Sequence, residues 1–363
     1  MLSIGIVGLP NVGKSTLFNT LTKNKVPAEN YPFCTIEPNV GIVEVPDERL
    51  YKIAEISQPA KIIPAVIEFV DIAGLVKGAS EGQGLGNKFL SHIRECDAIC
   101  EVVRGFHNKN IIHVEDKIDP SADKDTINLE LILADLATVT KRAEKAVKET
   151  KTGDKKAIAY AELINRVKDS LEKEIAVRDL ALTDEEKFIL KDLSLLSAKP
   201  IIYVLNVDDP DSAEGFVEAK PEAEHVLNAN DKVVKLNIKL ENEIAELPSE
   251  EQKEYQAELG ISESGLDKLI RASYELLGLI SFFTTGKDES RAWTVRNGAK
   301  APEAAGVIHT DFIKGFIRAE VISTEDFLTT GSEQKAKELG LLRIEGKDYI
   351  VKDGDICNFL VNK

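Results

Sequence analysis

The sequence predicts an α/β protein whose mainly parallel sheet is interrupted by a helical insertion and followed by a smaller α+β module. Up to about residue 125, short apolar runs such as "SIGIVG", "AVIEFVD" and "DAICEVV" alternate with polar and helical stretches, which is typical of βαβ units. Residues 128–198 contain few strand formers. The strand pattern returns at "PIIYVLNVDD" after residue 199, so we expect one sheet built from both sides of the insertion.

Composition sets the broad class of protein. The 363 residues allow two or three domains at about 100 to 200 residues each. A hydrophobic fraction of 43% and a charged fraction of 30% are ordinary for a folded protein. The net charge of -16 argues against a protein that coats DNA or RNA through its overall charge, so any contact with a polyanion must be local.

The cellular compartment is predicted from the cysteines and from the apolar runs. Cys34, Cys96, Cys100 and Cys357 are scattered and form no CxxC pair, which indicates reduced thiols in the cytoplasm. "MLSIGIVGLP" lacks the basic leader of a signal peptide. The longest later apolar run, "LLGLISFF", is far shorter than the roughly 20 residues of a spanning helix. We expect a cytoplasmic protein without a membrane segment.

Element patterns give the expected domain boundaries. The α/β domain should comprise 1–127 and 199–278, the insertion 128–198 and the C-terminal module 279–363. Helical apolar spacing in the insertion, with Gly153 in the turn "KETKTGDKK", predicts a coiled-coil-like hairpin, and Thr183 with Glu186 predicts a capping box that opens another helix. The module is predicted to have short strands, one helix around "SEQKAKEL" and tight turns at "EGKDY" and "KDGDI". In the insertion, the apolar positions are Leu129, Leu133, Leu136 and Val139, then Ile158, Leu163, Val167 and Leu171.

The stretch "GLPNVGKS", from Gly8 to Ser15, matches the phosphate-binding pattern GxxxxGK[ST] between a strand and a helix. Glycines let the backbone curl so that its N–H groups converge on phosphate oxygens at a helix N-terminus. Lys14 is expected to contact the β and γ phosphates and to be a catalytic residue. The Ser15 hydroxyl is expected to bind Mg²⁺, which prefers oxygen ligands. Gly13 leaves room for close approach of the backbone.

Two roles fit Asn11 in this loop. Some nucleotide hydrolases use an asparagine at this position to help hold K⁺. Asparagine also satisfies backbone hydrogen bonds in tight turns. Equal activity in sodium and potassium buffers would exclude the first role.

Two further motifs predict nucleotide switches. "IEFVDIAGL" carries Asp71 and Gly74 in a DxxG motif at a strand end. Asp71 is expected to hold the metal through water, and the Gly74 N–H to contact the γ phosphate. Between this motif and the phosphate loop, Thr35 in "YPFCTIEPNVG" is the candidate second hydroxyl ligand for Mg²⁺. Together these motifs predict a P-loop NTPase domain of the Ras-like type.

The glutamine that orients the attacking water in Ras-like proteins is replaced by Leu75. The orienting group must then come from elsewhere, or hydrolysis is slow until a partner or K⁺ assists. His113 in "NKNIIHVEDKIDP" is our candidate, since a histidine can hold a water or offset charge. A histidine satisfied by backbone at a strand end fits the sequence equally well.

The longer motifs resemble the YchF family, the Obg-like ATPase branch of the translation-factor P-loop GTPases. They are "GLPNVGKSTLFNTLT", "YPFCTIEPNVGIVEVPDERL", "DIAGLVKGASEGQGLGNKFL", "NIIHV" and the C-terminal "FFTTGKDESRAWTVRNGAKAPEAAGVIHTDFIKGFIRAEV". The resemblance implies a C-terminal TGS domain of β-grasp fold and a cytosolic ATPase that associates with the ribosome. It implies Ser15 and Thr35 as metal ligands and favours His113 as catalytic. Around the phosphates it places Asn11, Val12, Gly13, Lys14, Ser15 and Thr16.

The base-reading loop departs from this resemblance. The family has NxxE where this chain has "NVDD", so Asp209 replaces a glutamate, and Asn237 and Ile238 replace a Ser-Ala pair. Asp209 favours guanine, because an aspartate there accepts hydrogen bonds that adenine does not donate. Val207, in place of the lysine of NKxD, favours a loop in which backbone near Asn206 and Val207 reads adenine. We expect ATP, while GTP or dual use stays open.

Partner predictions rest on charge and on the resemblance. The run "KRAEKAVKETKTGDKK" at 141–156 is basic within an acidic protein. It fits contact with ribosomal RNA phosphates and, equally, a solvated helix face. We expect a monomer that binds the ribosome, mainly the large subunit, and neither DNA nor membrane. Two functions remain: an ATP-hydrolysing switch, or a nucleotide-gated binding module whose slow hydrolysis is incidental.

Overall fold

The computed structural model describes residues 2–23, 39–72, 85–106, 119–208, 232–261 and 263–362. The strands of these residues are β1 (Ser3–Val7), β2 (Val40–Glu44), β3 (Lys61–Ile63), β4 (Val66–Asp71), β5 (Ala98–Arg104), β6 (Ile201–Asn206), β7 (Lys232–Leu236), β8 (Leu279–Thr285), β9 (Glu289–Arg296), β10 (Phe316–Ser323), β11 (Arg343–Glu345) and β12 (Asp355–Val361).

The helices of the first part are α1 (Lys14–Leu21), α2 (Glu48–Ser57), α3 (Leu85–Glu95), α4 (Pro120–Glu149), α5 (Lys155–Leu171) and α6 (Asp184–Leu190). Those that follow are α7 (Ile238–Ile244), α8 (Ser249–Glu258), α9 (Gly265–Leu276), α10 (Ala301–Ile308), α11 (Asp311–Gly315), α12 (Thr324–Thr330) and α13 (Glu333–Glu338). Within the described residues, no helix combines the length and apolar character that a membrane crossing requires.

The first sheet has the strand order β2-β4-β1-β5-β6-β7. β2 is antiparallel to β4, and the other neighbouring pairs are parallel. β1, β5 and β6 are buried along their whole length, which explains their nearly continuous apolar sequences. The carboxyl ends of β1, β5 and β6 therefore meet at one edge, where α/β proteins bind their ligands. The predicted α/β class and parallel sheet are confirmed.

The insertion forms the expected helical hairpin. Gly153, with φ 73°, ends the 3₁₀ turn Thr150–Thr152 that follows α4, and Asp154 caps α5. α4 begins at Pro120, before the predicted boundary at 128, because Asp119 caps it through Ala122 N and proline suits a first turn. The capping box of Thr183 and Glu186 is present as predicted. The hairpin has a buried apolar core that includes Ile132, Val139, Ala143, Leu163, Ile164, Val167 and Leu171.

The buried face of α4 differs from the predicted apolar stripe. Leu129 and Leu133 are 36% and 40% exposed, whereas Ile127 and Leu131 are buried in the core of the first sheet. The helix packs on that sheet in its first half and on α5 in its second half. The buried face of α4 therefore changes along the helix, and the prediction that Leu129 and Leu133 lie on one continuous apolar face is wrong.

The C-terminal region contains more helix than predicted. Helix α13 lies in "SEQKAKEL" as expected, but α10, α11 and α12 were not predicted. Each has eight residues or fewer, so its apolar residues complete too few turns to show a helical period.

The second sheet separates two apolar clusters. One lies around Phe282, Val321 and Cys357, and the other includes Phe283 and Ile356.

The second sheet has the order β11-β10-β12-β8-β9-β3. Its last strand, β3, comes from residues 61–63, far from the other five strands in sequence. It pairs in parallel with β9, placing Lys61 opposite Glu289 and Ile63 opposite Arg291. The division into 1–127 with 199–278, 128–198 and 279–363 stays a prediction, and this strand crosses it.

Candidate functional site

The phosphate loop lies between the end of β1 at Val7 and the start of α1 at Lys14. Its backbone is left-handed at Gly13, with φ 109°, and at Asn11, with φ 63°. A Cβ atom at Gly8 would lie 2.5 Å from the Val102 carbonyl oxygen, and one at Gly13 would lie 2.8 Å from Asn206 Nδ2. Both glycines are therefore required by close approach as well as by backbone conformation. The conformation of Asn11 is the one that asparagine tolerates in tight turns.

Lys14 and Asp71 come together at the start of this loop's helix. Lys14 is only 7% exposed, and its Nζ donates to the Leu9 carbonyl oxygen at 2.6 Å. Burial lowers the pKa of Lys14 to about 8, and the charge of Asp71 opposes this shift. Burial likewise raises the pKa of Asp71, against the charge of Lys14 and a hydrogen bond from Ser15. Asp71, which is distant from Lys14 and Ser15 in sequence, thus shares one electrostatic environment with them.

The side chains of Ser15 and Asp71 fit a magnesium ion. Asp71 Oδ1 is buried, and among the described residues it has no hydrogen-bond partner. A hydroxyl beside a carboxylate with an unsatisfied oxygen is the hard donor set that Mg²⁺ prefers, with phosphates and water completing its shell. The roles of Ser15 and Asp71 as metal ligands remain predictions that this geometry supports.

The base-reading loop is tied to the phosphate loop through Asn206. Its Nδ2 donates to the Val12 carbonyl oxygen at 3.0 Å, and its Oδ1 accepts from Ile238 N at 3.2 Å. Both ends of the amide are used, and the side chain is 8% exposed. Asn206 therefore holds two loops together, which is the supporting role expected for the asparagine of an NKxD loop.

Asn237 makes a second connection between loops, which was not predicted from the sequence. Its Oδ1 accepts from Leu240 N at 3.0 Å and so caps α7, while its Nδ2 donates to the Asp208 carbonyl oxygen at 2.9 Å. Val207 N also donates to the Leu236 carbonyl oxygen at 2.8 Å. An asparagine directly before a helical pattern is a start signal, so the cap was predictable, whereas the bond to Asp208 was not.

Comparison with known proteins decides the family. A family model described as "50S ribosome-binding GTPase" matches residues 3–128, and the model YchF-GTPase_C, described as "Protein of unknown function", matches 279–362. The chain is 53% identical over 363 residues to "Ribosome-binding ATPase YchF" of Bacillus subtilis, covering 99% of both chains. It is 48% identical over 366 residues to the protein of the same name from Mycoplasma genitalium, covering 100% of both.

This chain belongs to the YchF family. A solved structure of the Schizosaccharomyces pombe YchF GTPase has a TM-score of 0.88 and 38% identity, covering 99% of this chain and 97% of that chain. The fold class predicted from sequence, a P-loop G domain with a helical region and a C-terminal domain, is confirmed. The family resemblance inferred from the quoted motifs is confirmed as well.

The YchF proteins named above differ in the nucleotide that their names give. The bacterial relatives are named ATPases and the yeast structure a GTPase. In this chain the described part of the base loop ends at Asp208. Asn206, Val207 and Asn237 fix that part of the loop through the bonds given above. The aspartate on which the guanine alternative depends, Asp209, lies outside the described residues.

The YchF-family site is therefore described in part. Asn11, Val12, Gly13, Lys14, Ser15 and Thr16 form one continuous loop and helix start, with Ser15 and Thr16 exposed. Asp71 lies beside Lys14, and Asn206 and Val207 lie at the end of β6. The remaining predictions, Thr35, Gly74, Leu75 and His113, fall outside the described residues, as does Asp209. Their roles stay predictions.

Proposed function

We propose that this YchF-family chain is a magnesium-dependent nucleotide hydrolase, with ATP as its expected substrate, that acts as a nucleotide switch on the ribosome. The observation that carries the proposal is the meeting of Lys14, Ser15 and Asp71 at the mouth of a phosphate loop with a left-handed Gly13. The relatives named above as ribosome-binding ATPases supply the partner. Cytoplasmic location and a monomeric state are part of the same proposal.

The chain's own residues would act mainly by binding and orienting the triphosphate. Backbone N–H groups of the loop would bind the phosphates, and the dipole at the start of α1 would favour their negative charge. Lys14 supplies positive charge to the β and γ phosphates once it leaves the Leu9 carbonyl oxygen. Ser15 and Asp71 would hold Mg²⁺, which supplies charge neutralisation at the phosphate oxygens when bound. Thr35, Gly74 and His113 keep their predicted roles as metal ligand, γ-phosphate contact and water-positioning residue.

ATP is favoured over GTP because no lysine follows Asn206. Val207 is partly buried against the core and its N–H donates to the Leu236 carbonyl oxygen, so an apolar side chain stands where a guanine-reading loop carries its lysine. The Asn206 amide is already used by Val12 and Ile238, so it does not read a base edge. GTP and dual use remain alternatives through Asp209.

Side-by-side competition of ATP and GTP for a fluorescent nucleotide would test the substrate. We expect ATP to bind at least about tenfold more tightly, a difference of about 1.4 kcal/mol. Equal affinities would establish a dual site, and tighter GTP would overturn the preference. Repeating the titration in potassium and sodium buffers tests the K⁺ role proposed for Asn11. Identical results in the two buffers would leave Asn11 with its backbone role.

The lysine of the phosphate loop gives the direct test of hydrolysis. Lys14→Ala should lower turnover by two or more orders of magnitude, because electrostatic stabilisation of the transferring phosphoryl group is usually the largest catalytic contribution. Lys23→Ala is the matched control, since Lys23 lies just after the end of α1 and pairs with Glu246 on the surface. Equal turnover of both variants and the wild-type chain would exclude a P-loop hydrolase mechanism.

We propose ribosomal RNA of the large subunit as the partner of the hairpin tip. The segment 141–156 carries seven basic and three acidic residues. One of the basic residues, Arg142, is held by Glu149 at 2.9 Å and by Tyr160, so it stabilises the tip itself. The other six are exposed: Lys141, Lys145, Lys148, Lys151, Lys155 and Lys156.

Reversing charges at the tip tests this contact. Lys148→Glu with Lys151→Glu should weaken co-sedimentation with ribosomes and reduce its dependence on salt, since each phosphate contact contributes to the salt slope. Lys335→Glu with Lys337→Glu, on α13, is a control with equal charge change on another surface. Loss of binding in the control pair alone would place the contact away from the hairpin.

A nucleotide-gated binding module is the second candidate function. Leu75 stands at the position of the water-orienting glutamine, which favours slow intrinsic hydrolysis. The two candidates differ in their response to ribosomes. A switch enzyme should turn over faster in their presence, whereas a binding module should hydrolyse slowly with or without them.

A further inference from the structure

The segment from Asn39 to Ile72 connects the nucleotide site with the C-terminal domain. At one end, Asp71 N donates to the Asn39 carbonyl oxygen at 2.9 Å. The two strands of the segment, β2 and β4, pair in an antiparallel ladder from Val40 opposite Val70 to Glu44 opposite Val66. Because Asp71 also lies beside Lys14 and Ser15, this end of the ladder belongs to the nucleotide site.

The other end of the segment is built into the C-terminal sheet. β3 forms the sixth strand of that sheet, and Ala60 N donates to the Lys287 carbonyl oxygen at 2.9 Å next to the pairing. Helix α2 packs on β8, β9 and α12. Its Leu50 and Ile53 are fully buried in the same core as Phe283 and Phe327. A displacement of the segment at this end must therefore carry the C-terminal domain with it, since close-packed interiors transmit strain.

Arg49 fixes the start of α2 to the C-terminal domain. Its guanidinium donates to Asp47 at 2.9 and 2.8 Å and to Asp353 at 2.6 and 3.2 Å. It also lies 5.4 Å from the ring centroid of Phe283. Asp353 in turn accepts from Ser281 N at 2.9 Å. The Arg49 and Asp353 side chains are partly exposed, so their ion pair adds little to the free energy of unfolding. The planar guanidinium of Arg49 nevertheless binds its carboxylates in one arrangement and so orients α2 on the C-terminal domain.

We propose that residues 39–72 couple the nucleotide site to the C-terminal domain. Nucleotide binding at the phosphate loop then changes the stability of the β3–β9 and α2 contacts. By linkage, a partner that binds the C-terminal domain changes nucleotide affinity by the same factor. The proposal rests on the nucleotide binding proposed above. It assigns the C-terminal domain a role in the switch, as the part of the chain whose contacts respond to nucleotide binding.

Hydrogen–deuterium exchange of the full chain, with and without a non-hydrolysable ATP analogue and Mg²⁺, tests the coupling. We expect exchange to slow at the phosphate loop. We also expect exchange in β9 and α2 to change by at least about fivefold, the lower end of ordinary allosteric coupling. Asp353→Ala should leave the phosphate-loop change intact and reduce the change in β9 and α2. Arg49→Lys, which keeps the charge but loses the fork, should act in the same direction.

The control is Asp348→Ala, which removes an exposed ion pair with Lys300 in the same domain and should behave as the wild-type chain. Slowed exchange at the phosphate loop with unchanged exchange in β9 and α2 of the wild-type chain would overturn the coupling alone. Unchanged exchange at the phosphate loop would overturn the proposed nucleotide binding and the coupling with it. A reduction of equal size in Asp348→Ala would overturn the assignment to Arg49 and Asp353.

Discussion

Asn206 and Asn237 show how two short amides set the geometry of the candidate nucleotide site. Asn206 joins the end of β6 to the phosphate loop, and Asn237 joins the start of α7 to Asp208. Each amide uses both its donor and its acceptor. Net contributions of about 0.5–1.5 kcal/mol for each bond suffice to fix a short loop.

Asn237→Ser separates the helix-capping role of this residue from its hydrogen bond to Asp208. Serine caps a helix about as well as asparagine, so the melting temperature should change by less than about 2 °C, whereas its short side chain loses the bond to Asp208. We expect nucleotide affinity to fall by about three- to tenfold, the effect of one ordinary hydrogen bond. Isothermal titration with ATP measures the loss. A melting temperature that falls while affinity is unchanged would contradict this assignment.

Glu101 is a fully buried acidic residue of the first sheet. It is 0% exposed on β5, and among the described residues neither carboxylate oxygen has a hydrogen-bond partner. Burial raises its pKa well above the ordinary value. The charges of Arg178 and Lys124 oppose that shift, and those of Asp123 and Asp125 add to it. The folded protein therefore holds this carboxyl in its protonated form at a pH where the unfolded chain ionises it.

Glu101→Gln should stabilise the protein increasingly as pH rises. With the folded pKa above the unfolded one, stability is fully present below the unfolded pKa and is lost as pH rises towards the folded pKa. Glutamine removes this loss, so the variant should be more stable than the wild-type chain at pH 8 and differ little from it at pH 5. Thermal melts of both proteins at the two pH values measure the difference. A gap that narrows with pH would contradict the raised pKa.

At the residue scale, the sequence was informative where chemistry follows a pattern. The phosphate loop was predictable because its glycines and lysine occur at fixed spacing between a strand and a helix. The proximity of Asp71 to Ser15 followed from the DxxG motif. Glu101 was not predictable, because its neighbours Lys124 and Arg178 approach it only after the insertion folds back on the sheet.

At the scale of elements, the hairpin α4–α5 carries its own apolar core. Val139, Ile164 and Val167 are fully buried there. This core is separate from the core of the first sheet, and α4 contributes to both. The hairpin is therefore expected to lose structure locally without disturbing the nucleotide site.

Ile164→Ala tests this independence. Truncating a fully buried isoleucine costs about 2–5 kcal/mol, so limited proteolysis should cut the hairpin faster while ATP affinity changes less than about twofold. Ile158→Ala, at a position 40% exposed on the same helix, is the matched control. It should leave both the rate of proteolysis and the ATP affinity unchanged. Equal loss of ATP affinity in Ile164→Ala would show that hairpin and site unfold together.

Helix and strand predictions failed for two physical reasons. The short helices α10 and α12 pack on strands of the second sheet and α11 packs on α10, and none of the three completes an amphipathic period. β3 has three residues and pairs with a strand more than 220 positions away. Pairing at that sequence distance depends on where whole domains lie, which local propensity does not contain.

At the scale of the whole molecule, the chain forms two sheets joined by the segment 39–72. The first sheet presents Lys14, Asp71 and Asn206 at one edge, and the second contains β3 from that joining segment. The hairpin tip carries the basic residues at the far end of α4. A nucleotide site, the RNA contact that we propose for the hairpin tip and the coupling that we propose for residues 39–72 together suit a ribosome-bound switch.

Turnover of ATP with and without ribosomes, for the wild-type chain and Lys14→Ala, tests the central claim most directly. We expect the wild-type rate to rise by at least about tenfold with ribosomes, while Lys14→Ala binds ribosomes but does not respond, since phosphoryl transfer depends on partner-assisted positioning when the orienting glutamine is absent. A wild-type rate unaffected by ribosomes, or equal to that of Lys14→Ala, would contradict the account.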